Sequence, residues 1–244
     1  MPGNDDWNVI WFVGAGPGDP ELITVRGKAL LDRADLLVYA GSLVNPALVA
    51  ASPAAEKVDS WGMQLDAIVS LMAERAMQGK TVVRLHSGDP ALYGSIVEQI
   101  AELERRDLAV RIVPGVSSVF AAAAALGTEF TPKGVSDTLI ITRPAGKTLE
   151  TDSIAALSQF PATMAFFLGS GHFAEITAKL SCPRDMPAVV VYHASWPDQT
   201  IISGTVADIA EKARDAGITR SALLIVGRAV RGTESGYARS HLYS

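Results

Sequence analysis

Short apolar runs alternate along the chain with stretches in which apolar residues return every three or four positions. Residues 9–13 (VIWFV) are continuous and rich in strand formers, which predicts a buried strand. The pattern then predicts a helix over about 22–33, a strand over 35–40, a helix from about 45 and a short strand near 57–60. Leu65, Ile68, Val69, Met72 and Ala76 share one helical stripe that stops at Gly79, and a strand over 82–85 follows at once. A helix at 94–106, a strand at 108–113 and the turn Pro114-Gly115-Val116-Ser117-Ser118 come next, feeding an alanine-rich helix to Leu126. Alternation of this kind builds a parallel sheet with helices on its faces.

The segment 127–133 (GTEFTPK) has no period, which places a domain boundary between about 115 and 135 and divides the chain into 1–120 and 121–244. The second half predicts strands at 138–142, 164–168, 188–192, 200–204 and 222–226, with helices at 151–159, 172–180 and 205–216. The short connection between 192 and 200 reads as a hairpin, so this sheet is expected to be mixed. The fold class that follows is two α/β domains, the first with a mainly parallel sheet and the second with a mixed one. An ordered connection between two such halves predicts a cleft, a common position for a small-molecule site.

Two predicted strand ends carry loops of small residues with a Gly-Asp-Pro, at 14–20 (GAGPGDP) and at 88–90. Ligands of open α/β sheets lie outside the carboxyl ends of the strands, and Gly88 would let backbone approach one closely. Asp89 adds a charge. An ordinary turn uses the same three residue types, so the loops alone leave both readings open. The dinucleotide fingerprint fails, because its sixth position is Asp19 and because Pro17 and Pro20 remove backbone donors that a pyrophosphate would need. A ligand without phosphate suits the loop better.

Composition, at 48% hydrophobic and 19% charged residues, is that of an ordinary globular protein, and 244 residues suffice for a large core. A net charge of −5 gives no long-range attraction for nucleic acid or anionic membrane, and neither is expected as a partner. No run approaches the roughly 20 apolar residues of a membrane span. The first eight residues lack the features of a signal peptide, so a cytoplasmic location is expected. Cys182 is the only cysteine and the four histidines are scattered, which argues against a disulfide or a metal cluster. An anionic substrate would need a local basic patch; Arg26, Lys28, Arg84, His86, Lys133, Arg143 and Lys147 are the candidates, each by itself readable as a solvated surface charge.

Five runs, 13–24 (VGAGPGDPELIT), 39–46 (YAGSLVNP), 82–94 (VVRLHSGDPALYG), 113–125 (VPGVSSVFAAAAA) and 192–198 (YHASWPD), make nearly the whole chain resemble the tetrapyrrole methylases that use S-adenosylmethionine. The second and fifth runs resemble the branch that methylates C11 of the ring. The resemblance implies a homodimer with a small-molecule tetrapyrrole substrate, and S-adenosylmethionine as methyl donor leaving as S-adenosylhomocysteine. It implies cofactor contacts at Pro17, Ser87, Gly88, Asp89, Ser117, Ser118, Leu168 and Ala194, and no metal ligand. Methyl transfer needs the two reactants held in line rather than a protein nucleophile. His86 and Tyr93, beside the central loop, are the candidates for proton transfer, with a neutral structural histidine as the competing reading of His86. Arg26 and Arg84 are the candidates for the substrate carboxylates. A transferase of the same fold acting on another carbon, on RNA or on a protein, and a tetrapyrrole carrier without catalysis, are the other classes. Metal-free and cobalt-loaded substrates are not separated by these residues. The tail 231–244, with little apolar content before His241-Leu242-Tyr243, is expected either to fray or to cover the cofactor.

Overall fold

In the computed structural model, which describes residues 8–41, 43–235 and 239, residues group by contact into two units, Met1–Ser118 and Val119–Ser244. The first unit holds strands β1 (Val9–Gly14), β2 (Leu36–Tyr39), β3 (Glu56–Asp59), β4 (Val82–His86) and β5 (Ala109–Val113), all parallel, in the order β3-β2-β4-β1-β5. Its helices are α1 (Val25–Leu31), α2 (Pro46–Ala51), α3 (Leu65–Met77) and α4 (Ile96–Glu104). Alternate strand residues serve opposite faces. Trp11, Val13, Leu37, Val83 and Leu85 pack with Leu30 and Leu31 of α1 and Leu48 of α2, whereas Ile10, Phe12, Leu36, Val38 and Val82 pack with Met72 of α3 and Leu103 of α4. Burial on both faces is why β1 reads as an unbroken apolar run.

This order makes a switch point. From β1 the chain goes to α1 on one face, and from the adjacent β4 it goes to α4 on the other, so the two loops diverge at the carboxyl ends of neighbouring strands. Gly14, Gly88 and Gly115 meet there. A Cβ on Gly14 would lie 2.5 Å from Gly115 Cα and 2.7 Å from Gly88 O, and one on Gly115 only 2.1 Å from Gly88 O. Nothing larger than hydrogen fits between them.

The second unit begins within α5 (Ser118–Ala125), continues through β6 (Leu139–Thr142), α6 (Ile154–Leu157), β7 (Thr163–Phe166), α7 (Phe173–Lys179), β8 (Pro187–Tyr192), β9 (Thr200–Thr205) and α8 (Ile209–Asp215), and closes with β10 (Ala222–Val226). Its sheet is mixed, ordered β6-β7-β10-β8-β9, with β6 and β7 parallel and the other pairs antiparallel. The hairpin expected between 192 and 200 is β8–β9, with Tyr192 opposite Thr200. Phe166, Val190 and Leu224 face α7 and α8; Ala165, Val189 and Ile225 face Val119 and Ala122 of α5. Small alanines let that helix lie close to the strands.

Three expected helices start later than their periodicity suggests, each where a side chain binds backbone N–H groups beside the start. Thr24 Oγ1 accepts from Gly27 N at 3.1 Å, so α1 starts at Val25 after a 3-10 helix over Pro20–Leu22. Asp152 accepts from Ala145 N and Ile154 N at 2.8 and 3.2 Å, which holds the chain in a turn until α6. Asp208 Oδ1 accepts from Thr205 N at 2.7 Å and delays α8 to Ile209. The aperiodic 127–133 segment is irregular but partly buried: Phe130 is 5% exposed and its carbonyl accepts from the Thr163 hydroxyl at 2.8 Å. Arg228–Ser235 forms 3-10 turns that the sequence pattern did not predict. Of the tail, 236–238 and 240–244 lie outside the described residues, as do 1–7 at the start. Among the described residues no helix is long and apolar enough to cross a membrane.

Gly115→Ala is expected to lower stability by about 1–3 kcal/mol through overpacking. Gly146→Ala, where an added Cβ meets nothing within 4 Å, is expected to stay within about 0.5 kcal/mol. Urea titrations followed by circular dichroism compare the two.

Candidate functional site

The loops after β1, β4 and β5 are locked to one another. Gly88 N donates to Gly16 O at 2.7 Å and Gly16 N to Gly88 O at 3.2 Å, a two-residue antiparallel bridge between the Gly-Asp-Pro loops. Gly88 has φ +62, a conformation that favours glycine. Asp89 spends both carboxylate oxygens on backbone: Oδ1 accepts from Ala91 N at 2.8 Å and Oδ2 from Gly115 N at 2.9 Å, joining the β4 loop to the β5 loop. Asp19 accepts from Glu21 N at 2.9 Å, and Asn45 Nδ2 donates to Gly18 O at 2.9 Å. Both aspartates therefore shape turns. Pro17 and Ser117 are buried, Ser87 is exposed, and Ser118 opens α5. The first unit thus gathers Pro17, Ser87, Gly88, Asp89, Ser117 and Ser118 at one edge of its sheet.

The second unit has its own such edge. Because β10 runs antiparallel to both neighbours, its start lies beside the ends of β7 and β8. Ser170 Oγ donates to Ala222 O and accepts from Ala222 N, both at 3.1 Å, while His193 N donates to Ser221 O at 3.1 Å. Leu168 follows β7 and Ala194 follows β8, so the two remaining expected cofactor residues share this edge. Leu168 is 60% exposed, whereas Ala194 is buried. Four non-glycine residues here are left-handed, Leu168 (φ 53), His193 (φ 47), Ser195 (φ 70) and Ser221 (φ 52). Backbone strain of about 1–3 kcal/mol per residue persists where the surroundings over-determine it, and clusters at functional sites.

A family model described as tetrapyrrole (corrin/porphyrin) methylases matches residues 9–210. The chain belongs to this family. It is 46% identical to a cobalt-precorrin-4 C(11)-methyltransferase of Methanocaldococcus jannaschii, over 98% of this chain and 94% of that protein. It is 43% identical to a precorrin-4 C(11)-methyltransferase of Pseudomonas aeruginosa, over 96% and 94%. An X-ray structure of a cobalt-precorrin-4 methyltransferase of cobalamin biosynthesis superposes with a TM-score of 0.89 at 41% identity, covering 94% of this chain and 99% of that one.

Within this tetrapyrrole methylase, the ionisable candidates divide by burial. Arg84 is 6% exposed and turned towards α4; its Nη1 donates to Ser60 Oγ at 2.9 Å and its Nε to Gln99 Oε1 at 3.3 Å. Burial lowers its pKa to about 10, against a smaller opposing effect of Asp59, so it stays charged at pH 7 while bracing β4 against the end of β3 and α4. A guanidinium so engaged is poorly placed to grip a substrate carboxylate. Arg26 is exposed and lies over the Trp11 indole, 5.4 Å from the ring centroid, with Arg111 at 5.5 Å. His86 is 8% exposed beside Phe12, and its Nε2 is a buried nitrogen with no hydrogen-bond partner among the described residues. Burial, and then the Arg84 charge, lowers its pKa to about 3, so the ring is neutral and a weak base. Tyr93 is 40% exposed at φ 56.

One pair escaped the sequence reading. His193 stacks on Tyr192, with ring centroids 3.9 Å apart, and on Trp196 at 5.0 Å, and its Nδ1 lies 3.0 Å from both carboxylate oxygens of Asp198. The hydrogen bond from His193 holds the Asp198 carboxyl below its usual range. The available signal was the run 192–198, read there only as a mark of subfamily. No group of three metal-ligating side chains occurs among the described residues. A cavity of about 260 Å³, lined by Phe160, Met164, Cys182 and Met186, lies at the opposite end of the second sheet. Its serines, Ser136 and Ser158, already bond to backbone, and burial raises the Cys182 thiol pKa, so it offers no reactive group.

His86 gives the fold a defined acid sensitivity. Its folded pKa of about 3 lies below the ordinary 6.5, so the unfolded chain binds the extra proton; its contribution is complete above about pH 6.5 and fades as pH falls towards 3. Wild-type stability is expected to drop by up to about 1.4 kcal/mol per pH unit in that window from this group, and His86→Leu to lack this share of the slope. Urea midpoints at stepped pH measure it.

Proposed function

We propose that this methylase transfers a methyl group from S-adenosylmethionine to C11 of precorrin-4, giving precorrin-5 and S-adenosylhomocysteine in cobalamin biosynthesis. The near full-length similarity to two C11-methyltransferases carries the reading. The loop chemistry supports it. Backbone amides and carbonyls, the Ser87, Ser117 and Ser118 hydroxyls and the exposed Leu168 side chain are mostly neutral groups, which fit an adenosine and an amino acid without phosphate. When bound, the cofactor supplies an electrophilic methyl on a sulfonium.

The chain's own share is to orient and to exclude water. Pro17, Ser87, Gly88, Ser117, Ser118, Leu168 and Ala194 hold the cofactor in this reading, and Asp89 sets the two loops at their working separation through Ala91 N and Gly115 N. Holding the reactants in line lowers the barrier to transfer. Arg26 is the partner for a substrate carboxylate in this reading, and the exposed Tyr93 phenol is able to donate or accept a hydrogen bond. The cobalt complex of precorrin-4 is the second reading, favoured by the name of the M. jannaschii relative. A cytoplasmic homodimer completes the proposal; light scattering of the purified protein checks the dimer.

Methyl-labelled S-adenosylmethionine with precorrin-4, and separately with its cobalt complex, followed by mass and carbon NMR analysis, tests the reaction. One new methyl at C11 is the expected product, and transfer to another carbon would refute the position. Asp89→Ala, which strips the Ala91 and Gly115 amides of their acceptor, is expected to weaken S-adenosylhomocysteine binding at least tenfold, or about 1.4 kcal/mol, by calorimetry.

A further inference from the structure

We propose that His193, set in place by Asp198, is the base that takes the proton released when the acceptor ring is methylated. The inference rests on the C11 reading above. Three features of the second unit's edge point to it. Asp198 can only accept, so the Nδ1 it contacts at 3.0 Å carries the hydrogen, and in the neutral ring Nε2 is left with its lone pair for an outside partner. The ring stacks on both Tyr192 and Trp196, so the imidazole is oriented before any ligand arrives. The backbone is equally fixed: Trp196 N donates to His193 O at 2.9 Å, and Ser195 N to Gln199 Oε1 at 2.8 Å, around a left-handed His193. His193 also adjoins Ala194, on the loop assigned to the cofactor.

The reaction requires such a group. Transfer of a methyl from a sulfonium to carbon forms a C–C bond and breaks an S–C bond whose electron pair stays on sulfur. One positive charge thereby moves to the acceptor. In metal-free precorrin-4 the tetrapyrrole regains its charge when a ring N–H bond breaks, its electron pair joining the conjugated system and its proton passing to His193 Nε2. The imidazolium then formed is stabilised by the Asp198 carboxylate, which makes Asp198 a positioning residue. His86, with its pKa of about 3, does not hold that proton near neutral pH.

The test has a readout that needs no turnover. Nitrogen-15 NMR of the unloaded protein is expected to show His193 protonated at Nδ1 and bare at Nε2 in its neutral form, and Asp198→Asn to weaken that preference; a neutral ring protonated at Nε2 overturns the proposal. In single-turnover assays His193→Asn, whose side chain tolerates the left-handed backbone, is expected to slow methyl transfer by about a hundredfold or more with S-adenosylhomocysteine affinity unchanged. His193→Ala is expected to recover part of its rate in added imidazole, which a merely structural histidine would not allow. A His193→Asn enzyme as fast as an active wild type, or a slow His193→Ala that imidazole leaves slow, overturns this inference alone. A wild type inactive on both precorrin forms overturns the proposed function and this inference with it.

Discussion

Where β1, β4 and β5 end, backbone lies directly on backbone. Gly14, Gly88 and Gly115 approach so closely that a methyl group on either Gly14 or Gly115 would sit well inside van der Waals contact. The rest of the first unit's edge follows from this contact. It brings Gly88 within reach of Gly16 for a reciprocal pair of hydrogen bonds, and it brings the Gly115 amide to Asp89. An acidic side chain that looks like a ligand contact in the sequence thereby becomes the brace between two loops. A small change in that separation would move every backbone group the site presents.

The second unit reaches a comparable result by another route. Its edge is stitched by Ser170 to Ala222 and by His193 to Ser221, across a strand that runs against its neighbours. Side chains and left-handed residues do there what glycine does in the first unit. Each edge is thus held by hydrogen bonds of its own unit. The buried charge of Arg84 belongs to a different task, because its hydrogen bonds to Ser60 and Gln99 hold the end of β3 and α4 against β4.

Much of the fold was legible in one sequence. The apolar run at 9–13, the stripe from Leu65 to Ala76 and the strand at 222–226 are written in periods that hydrophobic burial enforces, and the short link after Tyr192 announced the hairpin. What escaped depends on partners distant in sequence or on backbone angles. Nothing near Arg84 says that Gln99 will meet it. Gly115 reads as a turn glycine until Gly88 is beside it. His193 was hidden because its value lies in a φ of 47 and in Asp198, a residue whose local context, Pro197-Asp198, suggests only a turn. Thr24, Asp152, Thr205 and Asp208 divert the chain locally, so helix periods overran the true helix starts.

The position of β1 has a temporal side. It precedes the other described strands of its unit and sits between two partners, yet Ile10 pairs with Val82 on one side and Val110 on the other, both far along the chain. An apolar ribbon, VIWFV, therefore waits unpaired until most of the unit has left the ribosome, and topologies of this kind, dominated by non-local contacts, fold slowly. The glycine junction cannot close before Gly115, which follows β5, is available. Until then the unit carries an open apolar edge, and the junction of Gly14, Gly88 and Gly115 takes its shape only when the sheet has been completed around β1.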